Sequence, residues 1–578
     1  MQTFDLREFS SLYYPFHAMR LTGSRTVWIS KKYCALQGAE DTASVKEEFN
    51  ERFAWVVAGG VTFDGLQIDH ARQVDFLAER YGGFGIARNG GGARCGDIGG
   101  FQVKGLGKNP LASSKPADLH HSYGGFKAVY AIHEAIYAHL INRIAPVGAA
   151  EIYGVTLLGE RSAFVKDEQR GWGAQFVRER VLRPGSFLRA RDFKIDKSKF
   201  PSMMSDMGRV RGVYASASKV LGDRDAVLNF FIQFVERTAR QMSFARMARL
   251  MHGALTPSNL CLDGRWLDLT NTTFTCSTKN YAGGNRDTPS FYEERQALSY
   301  IIEVLARGFN KFAQSALPVE ELKRHYQARS EEGLRDHLGY LFGLDYPIAV
   351  EPDRAGSARL TALIMRVLSG GQVFYDRWPE TFAQDDPILM LLGILFTAAA
   401  YQDKAGLDEE VLRDEGLLRV MGYIQPFLSY MRHAHRIGHG SDIPYRYFLV
   451  ASYITAVKRC ILSAYFYKGR METVVNRLLS VNDLDGVERF MEDSIELADG
   501  AFSGAVDGQV VILGLPCREI RYRLVDGKFL LSTANETSRT FATIGDLLDA
   551  AGPNAFELHG FDLNFYLAQL ARTTDGMV

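Results

Sequence analysis

Eleven of the 26 residues in 82-GGFGIARNGGGARCGDIGGFQVKGLG-107 are glycine. Glycine supplies the positive φ angles of tight loops and lets backbone N–H groups come close to a ligand such as a phosphate. Arg94 and Lys104 add cations that can neutralise phosphate charge. The segment lacks the GxxxxGK[ST] spacing of a Walker A loop and the GxGxxG spacing of a dinucleotide fingerprint. Taken alone, it reads either as a phosphate cradle of another kind or as a glycine-rich turn with no ligand.

The flanking sequence says what such a loop would be mounted on. From about residue 55 to 195 the chain is glycine-rich with short strand-like pieces, 151-EIYGVTLLGE-160 and the alternating run Gln175 to Arg183. One helix interrupts it, from about Phe126 to Ile144, with Val129, Ile132, Ile136 and Leu140 at helical spacing. From about 225 to 475 the pattern is mostly helical. Leu228, Phe231, Ile232, Val235, Ala239 and Met242 form one stripe, and Leu298, Ile301, Ile302 and Leu305 another. A glycine-rich β part followed by a larger helical part predicts an α+β protein with two lobes, and a cleft between lobes is a usual ligand site. The expected units are 1–195, 196–475 and a small β-containing C-terminal appendage, 476–578. In that appendage Asp507-Gly508 and Asp526-Gly527 sit between alternating runs, a strong hairpin signal.

Composition removes several classes. A length of 578 residues predicts two to four structural units, and 46% hydrophobic residues suit a soluble globular chain. The 67 Lys+Arg balance 67 Asp+Glu, which gives no global pull toward nucleic acid. The longest apolar run, Pro387 to Tyr401, is shorter than a bilayer requires and reads as a buried core helix, so no membrane span is expected. No secretory signal is visible in MQTFDLREFSS. The six cysteines contain no CxxC pair, against a disulfide scaffold or zinc ribbon and in favour of reducing cytosol. No internal repeat is apparent.

Three further segments carry chemistry. Glu134 lies four residues after Tyr130 and two after Ile132, at the edge of the helix's apolar stripe. There it could pair with Lys104 and aim the ammonium at a phosphate, as lysine–glutamate pairs do in kinase-like folds; the alternative is a solvated surface glutamate. In 252-HGALTPSNLCLDGRWLDLTNTTF-274, Asn259 precedes Asp268 by nine residues, with the Asp263-Gly264 turn between. A strand–turn–strand reading brings both to one end as hard oxygen donors suited to Mg²⁺; the alternative is two ordinary turn residues. The run 178-RERVLRPGSFLRAR-191 offers arginines for a triphosphate, or a solvated strand face. His433, His435 and His439 lack a Cys or carboxylate companion, and His120-His121 reads as surface loop.

The order of these pieces resembles the selenoprotein O family, a protein-kinase-like fold whose members bind ATP in an inverted orientation and transfer AMP to protein hydroxyls. The resemblance runs from about Phe76 to Gly308, about 40% of the chain. The segment 87-ARNGGGAR-94 stands for the family's AGQLGDGR, 103-VKGLGKNPLAS-113 for LKGAGxTPYS, 133-HEAI-136 for RESL, and 252-HGALTPSN-259 for HGVMNTDN. The resemblance implies Lys104, Glu134 and Asp268 as the catalytic group and Asn259 and Asp268 as Mg²⁺ ligands. It implies Gly91, Ala93, Arg94, Lys104, Gly124, Arg183 and Arg189 as nucleotide contacts. ATP and Mg²⁺ are the implied cofactors and a protein or peptide the acceptor.

The chain departs from the family at telling places. The catalytic Asp before the metal Asn is Ser258 here, and serine is no general base near neutral pH without help. The family's GDGRA becomes 122-SYGGFKA-128, seven extra residues separate the lysine from the glutamate, and the terminal redox residue has no counterpart in Gly576-Met577-Val578. The expected activity is therefore ATP- and Mg²⁺-dependent AMP transfer. The alternatives are ATP-dependent carboxylate activation in peptide or natural-product maturation, a nucleotide-binding pseudoenzyme, and ordinary phosphoryl transfer.

Overall fold

The computed structural model describes residues 4–39, 43–57, 66–114, 123–166, 169–194, 200–275, 291–344, 353–370, 386–403, 415–438, 442–501, 505–515, 518–533, 536–552 and 556–577. His120, His121, Ser122 and His439 lie outside these residues, as does Val578. The described chain is a mixed α/β molecule, mostly helical, built on an eight-stranded antiparallel sheet.

The first 80 residues, which carried no functional signal in the sequence, supply half of that sheet. Strands β1 (Tyr13–Thr22), β2 (Arg25–Ile29), β3 (Trp55–Val56) and β4 (Gln67–Glu79) come before the glycine loop. After it come β5 (Cys95–Ile98), β6 (Phe101–Lys104), β7 (Ile152–Lys166) and β8 (Gln169–Glu179). The spatial order is β2-β7-β8-β6-β5-β4-β1-β3. Gly99 and Gly100 close the β5–β6 hairpin in two residues, both with positive φ, as a two-residue hairpin turn demands. This turn fixes the register that sets Lys104 opposite Cys95.

One helix, α1 (Ala128–Ile144), crosses the face of the sheet. The stripe from Val129 to Leu140 predicted an amphipathic helix, yet the helix is buried nearly all round. Sheet covers one side. On the other, Tyr137 donates to the Phe466 carbonyl and His139 bonds Asp499 at 2.8 Å. Glu134 is thereby 1% exposed, which removes the solvated-surface alternative.

The helical part begins with α2 (Asp206–Leu221), α3 (Arg224–Met247) and α4 (Phe291–Phe312). The buried face of α3 is carried by Val227, Phe230, Phe231, Phe234, Val235 and Ala239, while the expected Leu228 and Ile232 fall on its margin. The cause is packing from two directions, which widens and rotates the stripe. Phe309 of α4 stands at the junction, with ring centroids 5.1 Å from Tyr214 of α2, 5.3 Å from Phe231 of α3 and 5.6 Å from Phe187.

The run Pro387–Asp403 is a helix packed in the core. A second helix, Tyr445–Tyr465, is long and apolar enough to cross a bilayer, and 94% of its apolar 18-residue window is buried inside the protein. The C-terminal residues form a five-stranded antiparallel sheet in which both Asp-Gly pairs sit at turns. Ile520, Tyr522, Leu524, Phe529 and Leu531 are all buried, and they belong to the same continuous hydrophobic cluster as the helices. Lys458 ties the two together by donating to the Val511 carbonyl at 2.6 Å.

Phe309→Ala empties a fully enclosed aromatic site and should cost about 3–5 kcal/mol in chemical denaturation. A loss under about 1 kcal/mol would show that the junction does not depend on this ring.

Candidate functional site

Lys104 ends β6, where the hairpin register and the pairing Lys104↔Phe176 turn its side chain away from solvent. The ammonium lies 4.5 Å from the Phe126 ring and 5.3 Å from the Phe176 ring. Apolar rings cannot replace hydration for a buried cation, so the charge needs anionic partners. It has two. Glu134 of α1 accepts from Lys104 at 2.9 Å, and Asp268 forms a second ion pair with the same ammonium. Thr270 also donates to Glu134.

This leaves two carboxylates around one ammonium. Burial pushes Glu134 above the usual carboxylate range, and the nearby Asp268 charge adds to this against Lys104. Burial acts the same way on Asp268, but Lys104 and then Arg178 outweigh it and hold Asp268 well below that range. The backbone of Asp268 is left-handed, φ 61°, and its side chain makes no cap bond to the short 3₁₀ turn Leu269–Asn271 that follows. The carboxylate is thus turned toward Lys104.

Asn259 arrives beside Asp268 through a nested hairpin. The outer pair is Leu250–Met251 with Thr273–Phe274, and the inner one a single bridge, Leu260↔Trp266, around the Asp263-Gly264 turn. The expected strand–turn–strand is therefore much shorter than two full strands, but it places Asn259 and Asp268 on one cavity. Asn259 is held by its own amide, which donates to the Ala254 carbonyl at 2.9 Å. Its Oδ1 accepts from Ser258 Oγ at 3.1 Å, and Ser258 Oγ lies 2.8 Å from Thr256 Oγ1. One amide oxygen and one carboxylate can hold a Mg²⁺ that keeps water and phosphate as its other ligands. No group of three or more His, Cys, Asp or Glu converges among the described residues. His435 bonds the Ile443 carbonyl at 2.6 Å instead.

The cavity has a volume of about 250 Å³. Its wall includes Gly91, Ala93 and Arg94 from the glycine loop, with Lys104, Asn259 and Asp268. Arg178, the first residue of the arginine run 178–191, also lines it, although the nucleotide contacts expected from that run were Arg183 and Arg189. The signal for it was register: Gln102 pairs with Arg178 across β6 and β8, two residues from the Lys104↔Phe176 pair, so alternation puts Arg178 on the face of Lys104. Arg178 donates to Gln102 Oε1 through Nε and Nη2, at 2.9 and 2.6 Å.

Three expected nucleotide contacts lie elsewhere. Gly124 is outside the cavity wall; a Cβ there would sit 2.3 Å from Lys108 N, so close backbone packing explains the glycine. Arg183 is 1% exposed and forks onto Glu79, with Nη2 2.7 Å from Oε2, while its Nη1 donates to the Ser258 carbonyl at 2.9 Å. Its charge is consumed in bracing the loop. Arg189 is an exposed residue beyond the wall, and its carbonyl accepts from Gly83.

Glu294 of α4 was also missed. It is buried and accepts the backbone N–H groups of His252 and Gly253, anchoring the segment that carries Ser258 and Asn259. His252 is itself a brace: Nε2 faces the Leu267 carbonyl at 3.1 Å, and burial lowers it to about 4, so it stays neutral.

No family model matches the chain, and no curated protein sequence matches it.

Burial pushes Glu294 up to about 8 against the two N–H bonds that lower it. A raised folded pKa means that stability from this group is present at acid pH and lost as pH climbs from the ordinary carboxylate value to about 8. The stability of wild type relative to Glu294→Gln should therefore fall between pH 5 and 8 in paired denaturation curves. A difference independent of pH would refute the assignment. Arg183→Gln should cost about 3–5 kcal/mol without any nucleotide, because it strands buried Glu79. Full stability with weakened ATP binding would instead make Arg183 a ligand contact.

Proposed function

We propose that the chain is a diverged, two-lobed kinase-like protein of the selenoprotein O type that binds ATP with Mg²⁺ and transfers AMP to a protein or peptide acceptor. The observation that carries this reading is the buried Lys104 ammonium, shared by Glu134 on a helix and Asp268 on a loop at the wall of one cavity. These are the three groups that a kinase-like site uses to hold a nucleotide and its metal.

In this reading Lys104 and Arg178 neutralise the polyphosphate at the depth of the cavity, and Arg94 does so from the glycine loop. Glu134 keeps the Lys104 ammonium pointed inward. Asp268 and Asn259 present oxygens to a divalent cation, which would lower the charge on the transferring phosphoryl group. Ser258 stands where the family carries its base, and this favours a second reading: a nucleotide-binding protein without turnover.

The deciding measurement is the fate of ATP labelled at the α or γ position, with Mg²⁺ or Mn²⁺. Adenylyl transfer retains the α label and releases pyrophosphate, and Asp268→Ala should lower that turnover at least ~100-fold. Release of ADP would mean phosphoryl transfer. Binding without consumption would establish the second reading, and a fully active Asp268→Ala would remove Asp268 from the site.

A further inference from the structure

The acceptor class follows from which described groups reach the cavity. Moving AMP to an alcohol requires a group that takes the hydroxyl proton, within hydrogen-bond reach of the attacking oxygen. Among the described residues, the cavity wall contains one carboxylate, Asp268, and no histidine. The Asp268 carboxylate is bound to Lys104. Glu134 is behind the wall, bonded to Lys104 and Thr270. Both nitrogens of His252 are occupied, Nε2 against the Leu267 carbonyl and Nδ1 by the Ala254 N–H. Ser258 spends its proton on Asn259 Oδ1 and is 4% exposed. Cys95, Tyr81 and Tyr130, the remaining ionisable wall residues apart from the cations, are held in their neutral forms chiefly by desolvation.

The same wall is rich in cations. Arg94, Lys104 and Arg178 stand against Asp268 at the wall and Glu134 behind it, which leaves cations in excess of carboxylates for an anionic ligand.

We propose that the acceptor is a carboxylate, and that the protein makes an acyl-adenylate. This rests on the nucleotidyl-transfer reading above. A carboxylate oxygen attacks the α-phosphorus and forms the new O–P bond. The bond from the α-phosphorus to the bridging oxygen of the β-phosphate breaks, and pyrophosphate leaves with the electron pair. No proton changes hands, so no base is needed. The mixed anhydride then yields to a nucleophile at its carbonyl carbon, which expels AMP.

The full-length protein is incubated with ATP, Mg²⁺ and hydroxylamine, together with one of two end-blocked peptides. One carries a single glutamate carboxylate labelled with ¹⁸O and no hydroxyl; the other carries a single serine hydroxyl and no carboxylate. The expected result is a hydroxamate on the glutamate peptide and AMP containing one ¹⁸O atom, with no AMP on the serine peptide. Ser258→Asp, which restores an acid beside Asn259, should raise transfer to the serine peptide at least ~10-fold. Hydroxylamine-stable AMP on the serine peptide, or on the protein's own hydroxyls, from the wild type overturns the proposal. Conversion of ATP to AMP and pyrophosphate without hydroxamate or ¹⁸O transfer overturns it as well. No consumption of ATP by either protein, with binding intact by titration, instead overturns the nucleotidyl-transfer reading on which it rests.

Discussion

Three elements that have little else in common meet at the Lys104 ammonium. The sheet supplies the lysine, the crossing helix supplies Glu134, and the loop after the nested hairpin supplies Asp268. At 2.9 Å and an effective dielectric near 20, the Lys104–Glu134 attraction is roughly 6 kcal/mol before desolvation. Burying each ion costs several kcal/mol, so the cluster adds little net stability. Its effect is on arrangement. Any displacement of helix or loop leaves a charge buried without its partner, at a cost of about 3–5 kcal/mol. The relative positions of sheet, helix and loop are therefore fixed by an interaction whose own contribution to folding is small.

A second polar network runs beneath the first and shows why some arginines are structural. Gln102 accepts from Arg178 and donates to Glu79 at 3.1 Å and Asp97 at 2.9 Å. Glu79 in turn takes the fork of Arg183, which reaches the Ser258 carbonyl. Burial, and then the Glu79 charge, push Asp97 up to about 7. The cation at the cavity wall, Arg178, is thus connected through one glutamine to the brace of the opposite loop. In a low-dielectric interior such a chain is worth keeping only when every member is satisfied.

The sequence made part of this legible. The helix around Glu134, the C-terminal hairpin around Asp526-Gly527, and the pairing of Asn259 with Asp268 follow from periodicity, turn residues and spacing that act locally, whereas the convergence of Lys104 on that pair was implied by the family resemblance. The arginine run 178–191 was legible as a group, but which of its members faces the cavity was not, because a guanidinium's role depends on which face of a strand it occupies and where that strand stops. β8 ends at Glu179, so Arg178 still shares the face of Lys104 and Phe176 and reaches the cavity, while Arg183 lies past the end and turns to Glu79. Glu294 was invisible for a similar reason: its partners are backbone N–H groups some 40 residues earlier, and no pattern of side chains marks them. The first 80 residues were unreadable because β4 is mostly exposed along its first half and lacks a clean alternation.

Backbone strain gives an independent view of the cavity. Asp268 has φ 61°, Ala87 φ 47° and Arg88 φ 66°. Asp268 and Ala87 both line the wall, and Arg88 is next in chain to Ala87. Each non-glycine residue in this region costs of order 1 kcal/mol or more, and survives only where the surroundings over-determine it. At Asp268 the overdetermining contact is Lys104; in the glycine loop it is the close approach at Gly91, where a Cβ would lie 2.3 Å from the Glu79 carbonyl oxygen. The same Glu79 holds Arg183. The strained loop, the braced loop and the shared ammonium are thus tied to one another through β4 and β6. Strain and ties of this kind hold the polar groups of the wall in one fixed arrangement.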